Sequence, residues 1–365
     1  MNTELEKLSK TIVNYSIGVK ENDKVLIQYE SSDCNPLVKC LIKDIYSKGG
    51  IPFTKLLDNE LNSLILEGAD SKTIDEMVKV KTFEVEEFDC FIRICYTGNE
   101  YETKNVKSCT RKELGSKSEA IDDIRINKRR WVLLNYPSLV DSYKAGMKYD
   151  EFYKYSLSVM NVDYESLNEK IKPLKELMEK TDKVRIVGPN TDLTFSIKGL
   201  PAIPCCGKAN IPDGELYTAP VKNSVNGIIT YNTKSPYNGY VFNNISLEFK
   251  DGKIINCTAS DNNDKLKEIF DTDEGARYVG EFSLGFNPLI KDPMGDILYD
   301  EKIMGSLHFT PGTCYRDCDN GNVSSIHWDL VLIQTPEYGG GEVYFDDVLI
   351  RKDGLFVLDN LKQLN

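Results

Sequence analysis

The patterning of the chain changes near Gly199, and that change constrains the fold more than any other feature. Before it, apolar segments of strand length alternate with stretches of helical period. KVLIQY (24–29) is followed by PLVKCLIKDIYSKG (36–49), whose helix pattern stops at glycine, and then by the strand candidate IPFTKLL. DCFIRICY (89–96) and WVLLNYP (131–137) are two more strand-length runs, separated by a charged, helix-like stretch. Strands and helices in this order specify a parallel sheet with helices on its faces. Two helical patterns at 150–182, broken near Asn161, lead into the strand-like KVRIVG (183–188). Beyond Gly199, glycine and proline become frequent and long helical patterns nearly vanish. GIITYNT, VFNNISLEFKDGKIINC, SSIHWDLVLIQ and EVYFDDVLIRKDGLFV read as strands, while DNNDKLKEIFDTDEGARYVGEF holds one or two helices. Asp-Gly pairs at 251–252 and 353–354 separate alternating runs and mark hairpins. The expected fold is α/β. An N-terminal parallel-sheet α/β domain (1–190) precedes a C-terminal α+β domain (191–365) rich in antiparallel strands. A length of 365 residues suits two sizeable cores.

Charge narrows the function classes. A net charge of −12 disfavours binding to a phosphate backbone. The one short basic run, RINKRR at 125–130, reads as a solvated loop or helix end. No stretch approaches the roughly 18 apolar residues of a membrane span. The N-terminus reads as an amphipathic helix without the apolar core of a signal segment. Ten cysteines without a CxxC pair are expected to be reduced thiols in a cytoplasmic protein. Neither nucleic acid nor membrane is an expected partner.

The chain has only two histidines, His308 and His327. In SSIHWDLVLI, strand alternation puts Ser325, His327, Asp329 and Val331 on one face and Ile326, Trp328 and Leu330 on the other. An imidazole and a carboxylate then point the same way, about 6–7 Å apart along the strand. That spacing suits two ligands of one metal site or of a metal pair. An ordinary core or surface histidine at His327 is the alternative. Glu215, in NIPDGELYTAP, lies in a proline- and glycine-rich turn, and Glu281, in ARYVGEFSLGFNP, follows Gly280 at the end of an apolar helix pattern. Each is either a solvated loop glutamate or a carboxylate among apolar neighbours, where lack of a partner is costly and a cation would compensate. Glu215, Glu281, His308, His327 and Asp329 together exceed the needs of one tetrahedral zinc. They suit two cations sharing a carboxylate and a water, a device for amide or ester hydrolysis. A rival grouping of His308, Cys314, Cys318 and His327 as a structural zinc site lacks the usual close ligand pairs. Tyr315, seven residues after His308, is a core or surface ring, or an oxyanion donor if it lies near a metal.

At these residues the chain resembles the thermophilic-type metallo-aminopeptidases, peptidase family M29. NIPDGELYTAP resembles the family's first glutamate segment and GARYVGEFSLGFNP its second. GSLHFTPGTCY carries the first histidine and the tyrosine. SSIHWDLV carries the second histidine and the aspartate, and YFDDVLIRKDGLFV resembles the closing hairpin. VKENDKVLIQY, WVLLNYPSLVDSYKAGM and KVRIVGPNTDLTFSIKG extend the likeness over most of the chain. The resemblance implies metal ligation by Glu215, Glu281, His308, His327 and Asp329 and an active-site tyrosine at Tyr315; Glu215 or Glu281 is the candidate proton carrier, a role that full engagement of both as ligands would deny them. It implies two divalent ions (zinc or cobalt, with manganese or magnesium as further options), removal of N-terminal residues from short peptides with a free N-terminus, and a homodimer enclosing the active sites. A homologue that keeps its metals for structure or peptide binding is the alternative. The chain departs from the family in a shortened His308–His327 stretch carrying Cys314 and Cys318, and in the Cys205–Cys206 pair. No ligand is lost, so the departures bear on substrate preference rather than on metal binding.

Overall fold

A computed structural model describes residues 3–99 and 101–365. The chain divides into two compact units. One reaches to Asn161 and takes in Gly207–Ile211; the other comprises Val162–Cys206 and Pro212–Asn365.

The first unit is built on a parallel sheet. Its strands run in the order Ile51–Leu56, Lys24–Tyr29, Cys90–Cys95, Arg130–Asn135, Asn210–Ile211. Central parallel strands are covered on both faces and therefore read as continuous apolar runs. Val25, Leu26, Ile27, Ile92, Ile94, Val132 and Leu134 are all buried accordingly. Helices Asn35–Ser47, Ser71–Glu87 and Ser108–Lys128 connect successive strands. The Asp58 and Asp70 carboxylates accept the backbone N–H of Leu61 and Thr73, which starts two of the unit's helices where the chain has a local acceptor. Helix Tyr149–Met160 of this unit and helices Tyr164–Lys170 and Lys172–Lys180 of the second match the helical patterns of 150–182 and their break at Asn161. No helix among the described residues is long and apolar enough to cross a membrane.

The second unit holds two main antiparallel sheets. In the eight-stranded sheet, the order is Lys253–Thr258, Ser246–Lys250, Asn226–Thr230, Thr191–Ser196, Lys183–Gly188, Glu342–Phe345, Val348–Lys352, Leu355–Phe356. Its two Asp-Gly hairpins turn as expected, with positive φ at Asp251 and Gly252 and at Asp353 and Gly354. The five-stranded sheet runs Val331–Ile333, Ser306–Pro311, Val279–Gly285, Glu215–Thr218, Ile203–Cys205. One face of it is aromatic. Phe282 and Phe309 close on Phe195 of the larger sheet, with ring centroids 5.0 and 4.9 Å away. Alternation then sends Glu281, Ser283, His308 and Thr310 to the opposite face.

Two local expectations are corrected. Glu281 lies not at a helix end but within the strand Val279–Gly285. Every residue of that strand is buried, so no alternation exposed its strand character to a sequence reading. The SSIHWDLVLIQ segment is a regular strand only over Val331–Ile333. Around His327 a single bridge to Gly312, itself at φ 112, replaces the ladder. The alternation nonetheless persists in burial: Ile326, Trp328 and Leu330 are buried, while His327 and Asp329 are partly exposed.

Candidate metal centre

Three neighbouring strands of the five-stranded sheet deliver the first donors. Glu215 pairs in register with Gly285, and His308 with Ser283, two residues along the strand from Glu281. Glu215, Glu281 and His308 are therefore on adjacent strands and one face. His308 Nε2 lies 3.1 Å from Glu281 Oε1 and 3.5 Å from Glu215 Oε2. The extended segment before Val331 brings the other two. His327 Nε2 is 3.3 Å from both Glu281 Oε2 and Asp329 Oδ1. Glu281 thus faces His308 with one oxygen and His327 with the other. All five residues singled out from the sequence converge.

Neighbours fix each donor's orientation. The Ser283 hydroxyl donates to Glu215 Oε2 at 3.0 Å, and the Thr310 hydroxyl to Asp329 Oδ1 at 2.8 Å. Thr313 O accepts from His327 Nδ1 at 2.8 Å, so Nδ1 carries a proton and Nε2 is turned toward the carboxylates. Gly280 makes that contact possible. A Cβ at position 280 would come within 2.2 Å of the same Thr313 oxygen.

The donor set fits divalent cations. His327 Nε2 is buried without a hydrogen-bond partner and sits between two carboxylate oxygens, an arrangement that only a proton or a metal relieves. Burial alone would keep both imidazoles neutral. The carboxylates prevail, raising His308 to about 10 and His327 well above its ordinary value. Burial opposes ionisation of Glu281 too, yet the two imidazoles hold its pKa below the usual value, and His327 does the same for Asp329. Nitrogen and carboxylate oxygen without thiolate suit zinc, cobalt, manganese and magnesium alike. The cysteines of the rival grouping are engaged elsewhere. Cys314 Sγ lies 3.3 Å from both Asp319 Oδ1 and Asn322 O, and Cys318 donates to Pro201 O.

The sequence reading missed two groups that the structure adds. Glu301 lies in one donor cluster with His308 and Asp329. Lys302, completely buried, pairs with Glu301 and, at 2.9 Å, with Glu215 Oε1. The DEK triplet at 300–302 resembles a solvated charge run, and its sequence carries no sign of burial. Burial raises the Glu301 pKa to about 8, whereas the Lys302 ammonium, despite burial, is held charged by Glu215 and Glu301. Cys205 and Asp213 make a further cluster with Glu215. Burial raises the Cys205 thiol well above its ordinary pKa and keeps it protonated.

Tyr315 stands at the mouth. Its ring packs on His327 and Tyr217, with centroids 4.8 and 5.5 Å away. The residue is 46% exposed overall. Crowding of its hydroxyl end, reinforced by Glu281 and Asp329, pushes the phenol pKa well above its usual value, so the hydroxyl remains a donor.

Comparison with known proteins places the chain in a family. The model of the thermophilic metalloprotease (M29) family matches residues 1–343. Aminopeptidase AmpS of Bacillus subtilis (strain 168) is 38% identical over 76 residues, which cover 21% of this chain and 18% of that protein. Aminopeptidase T of Thermus aquaticus is 28% identical over 192 residues, covering 44% of each. The matched segments thus span less than half the length of these curated relatives. The solved structure of wild-type AmpT from Thermus thermophilus superposes with a TM-score of 0.78 over 98% of this chain and 99% of that one, at 19% identity, which establishes a shared fold. With the family model matched over nearly its whole length, the chain belongs to the thermophilic metalloprotease (M29) family.

Proposed function

We propose that this protein is a metal-dependent aminopeptidase that removes the N-terminal residue of short peptides through a pair of divalent cations. The observation that carries the reading is Glu281, whose two oxygens face two different imidazoles within one buried cluster. One cation would be held by Glu215, Glu281 and His308, with Glu301 beside them, and the other by Glu281, His327 and Asp329. When bound, such a pair supplies Lewis acidity toward the scissile carbonyl and lowers the pKa of water.

The chain's own groups divide the remaining work. Lys302 and Ser283 pin the two oxygens of Glu215, and both imidazoles engage Glu281, so these glutamates are assigned to holding rather than to proton transfer. Glu301, beside His308 and Asp329 and not needed to hold either cation, is the carboxyl left to carry a proton. The Tyr315 hydroxyl donates to the oxygen that becomes negative as the carbonyl is attacked. An acidic residue near the cations would hold the substrate's free α-ammonium, a charge that blocked peptides lack.

A homodimer in a reducing cytoplasm belongs to the same reading. Cysteines present as thiols rather than disulfides support the compartment. The edge strand Ile51–Leu56 exposes Ile51, Phe53 and Leu56, an apolar edge of the kind that self-associates. A monomeric mass at micromolar concentration would count against the dimer. Activity is tested with unblocked and N-acetylated short peptides, with chelator and metal add-back. Chelator-sensitive release of amino acid from the unblocked peptide alone is expected. No turnover across a broad panel with metal verified in place would instead favour a non-catalytic metal-binding homologue.

A further inference from the structure

Beside His327 and Asp329 lies a cavity of about 190 Å3 that the hydrolytic chemistry does not use. It runs between the segments 233–237 and 295–300, and His327 and Asp329 form part of its wall. Its volume is below the roughly 300–1,000 Å3 of pockets for drug-sized ligands, and it suits a single side chain. Trp328 forms a rigid wall, stacked on Tyr237 at 4.6 Å and on Phe270 at 6.0 Å. Tyr237, Pro236, Ile297 and Val331 make the lining largely apolar.

Key polar groups on the lining are already occupied by backbone. The Thr233 hydroxyl donates to Val331 O at 2.9 Å. The buried Asp300 carboxylate accepts from the backbone N–H of Met294 at 2.5 Å and of Gly295 at 3.1 Å, which ties down its own loop. Neither group needs a partner from a ligand. Lys234 is exposed on the lining and repels an incoming cation. A charged side chain entering this space would lose its hydration, and the carboxylates it meets there are already engaged, Asp300 by two backbone N–H groups and Asp329 by His327 and Thr310.

We propose that this cavity receives the side chain of the substrate's N-terminal residue and selects uncharged aliphatic side chains of leucine or methionine size over lysine and arginine. The proposal rests on the aminopeptidase reading. It follows from continuity: His327 and Asp329 line this cavity, so a peptide whose first carbonyl lies at Glu281, His327 and Asp329 has this apolar space beside its first side chain. Ile297, at the solvent end of the lining, and Tyr237, against Trp328, set its dimensions.

The test uses the full-length, metal-loaded protein and the dipeptides Leu-Ala, Ala-Ala, Phe-Ala and Lys-Ala. For the wild type, kcat/KM for Leu-Ala should exceed that for Ala-Ala by about tenfold or more, the discrimination that added methylenes provide in an apolar pocket. Ile297→Trp narrows the space and should lower the Leu-Ala to Ala-Ala ratio about tenfold. Tyr237→Ala widens it and should raise the Phe-Ala to Leu-Ala ratio by a similar factor. Ratios are read only on variants whose circular dichroism matches the wild type. Opposite movement in the two variants supports the assignment. Lys-Ala cleaved as well as Leu-Ala, or both ratios unmoved in folded variants, overturns it while leaving the aminopeptidase intact. Failure of the wild type on all four dipeptides with metal in place overturns the parent reading itself.

Discussion

Replacing Lys302 with methionine removes one positive charge while keeping most of the side-chain volume. The ammonium is completely buried between Glu215 and Glu301. Loss of one partner of a buried ion pair costs about 3–5 kcal/mol, because the remaining charge stays desolvated. Each kcal/mol lowers the melting temperature of a unit of this size by about 2–4 °C, so metal-free Lys302→Met should melt about 6–20 °C below the wild type. The loss should also depend on pH. Glu301 already has a raised pKa, to about 8, so its ionisation costs stability progressively as pH rises from its unfolded value toward 8. Without Lys302 that pKa rises further and the cost extends to higher pH. The gap between variant and wild type should therefore be wider at pH 9 than at pH 6. Added metal acts in the other direction: carboxylates without their lysine attract a cation more strongly, so the metal-induced rise in melting temperature should be larger in the variant. Differential scanning calorimetry of both proteins, chelated and metal-loaded, measures all three effects. A metal-free variant melting within 2 °C of the wild type would refute the account of Lys302 as the internal counter-ion of the site.

Two further outcomes follow from particular contacts. Gly280→Ala should displace the Thr313 carbonyl that orients His327, weakening metal affinity about 10–100-fold, as loss of such supporting bonds does, measured by competition with a chromophoric chelator; unchanged affinity would contradict that role. Tyr315→Phe should lower kcat about 100–1,000-fold with little change in KM, since its hydrogen bond strengthens only in the transition state; an equal rise in KM would make the tyrosine a binding residue.

Much of this architecture was legible because local pattern and tertiary role coincide. KVLIQY and KVRIVG match the strands Lys24–Tyr29 and Lys183–Gly188, and both Asp-Gly pairs turn hairpins. His327 and Asp329 were found together because alternation outlasts the ladder that normally imposes it. Glu281 was recognised as a residue of interest but given the wrong local structure, since a strand buried on both faces loses its period of two. Glu301 and Lys302 were invisible for a different reason. A charged triplet is solvated in most proteins, and only the fold places this one against Glu215. The aromatic face of the five-stranded sheet was likewise beyond reach, because Phe195 meets Phe282 and Phe309 across 87 and 114 residues of chain.

The central claim is that Glu281 is shared by two cations. Isothermal titration of metal-free protein with zinc, wild type beside Glu281→Ala, tests it most directly. The account predicts two tight equivalents per chain for the wild type and loss of both in the variant, because each cluster loses a donor. A variant that still binds two equivalents tightly, or a wild type whose tight binding disappears on replacing Cys314 and Cys318 instead, would contradict it.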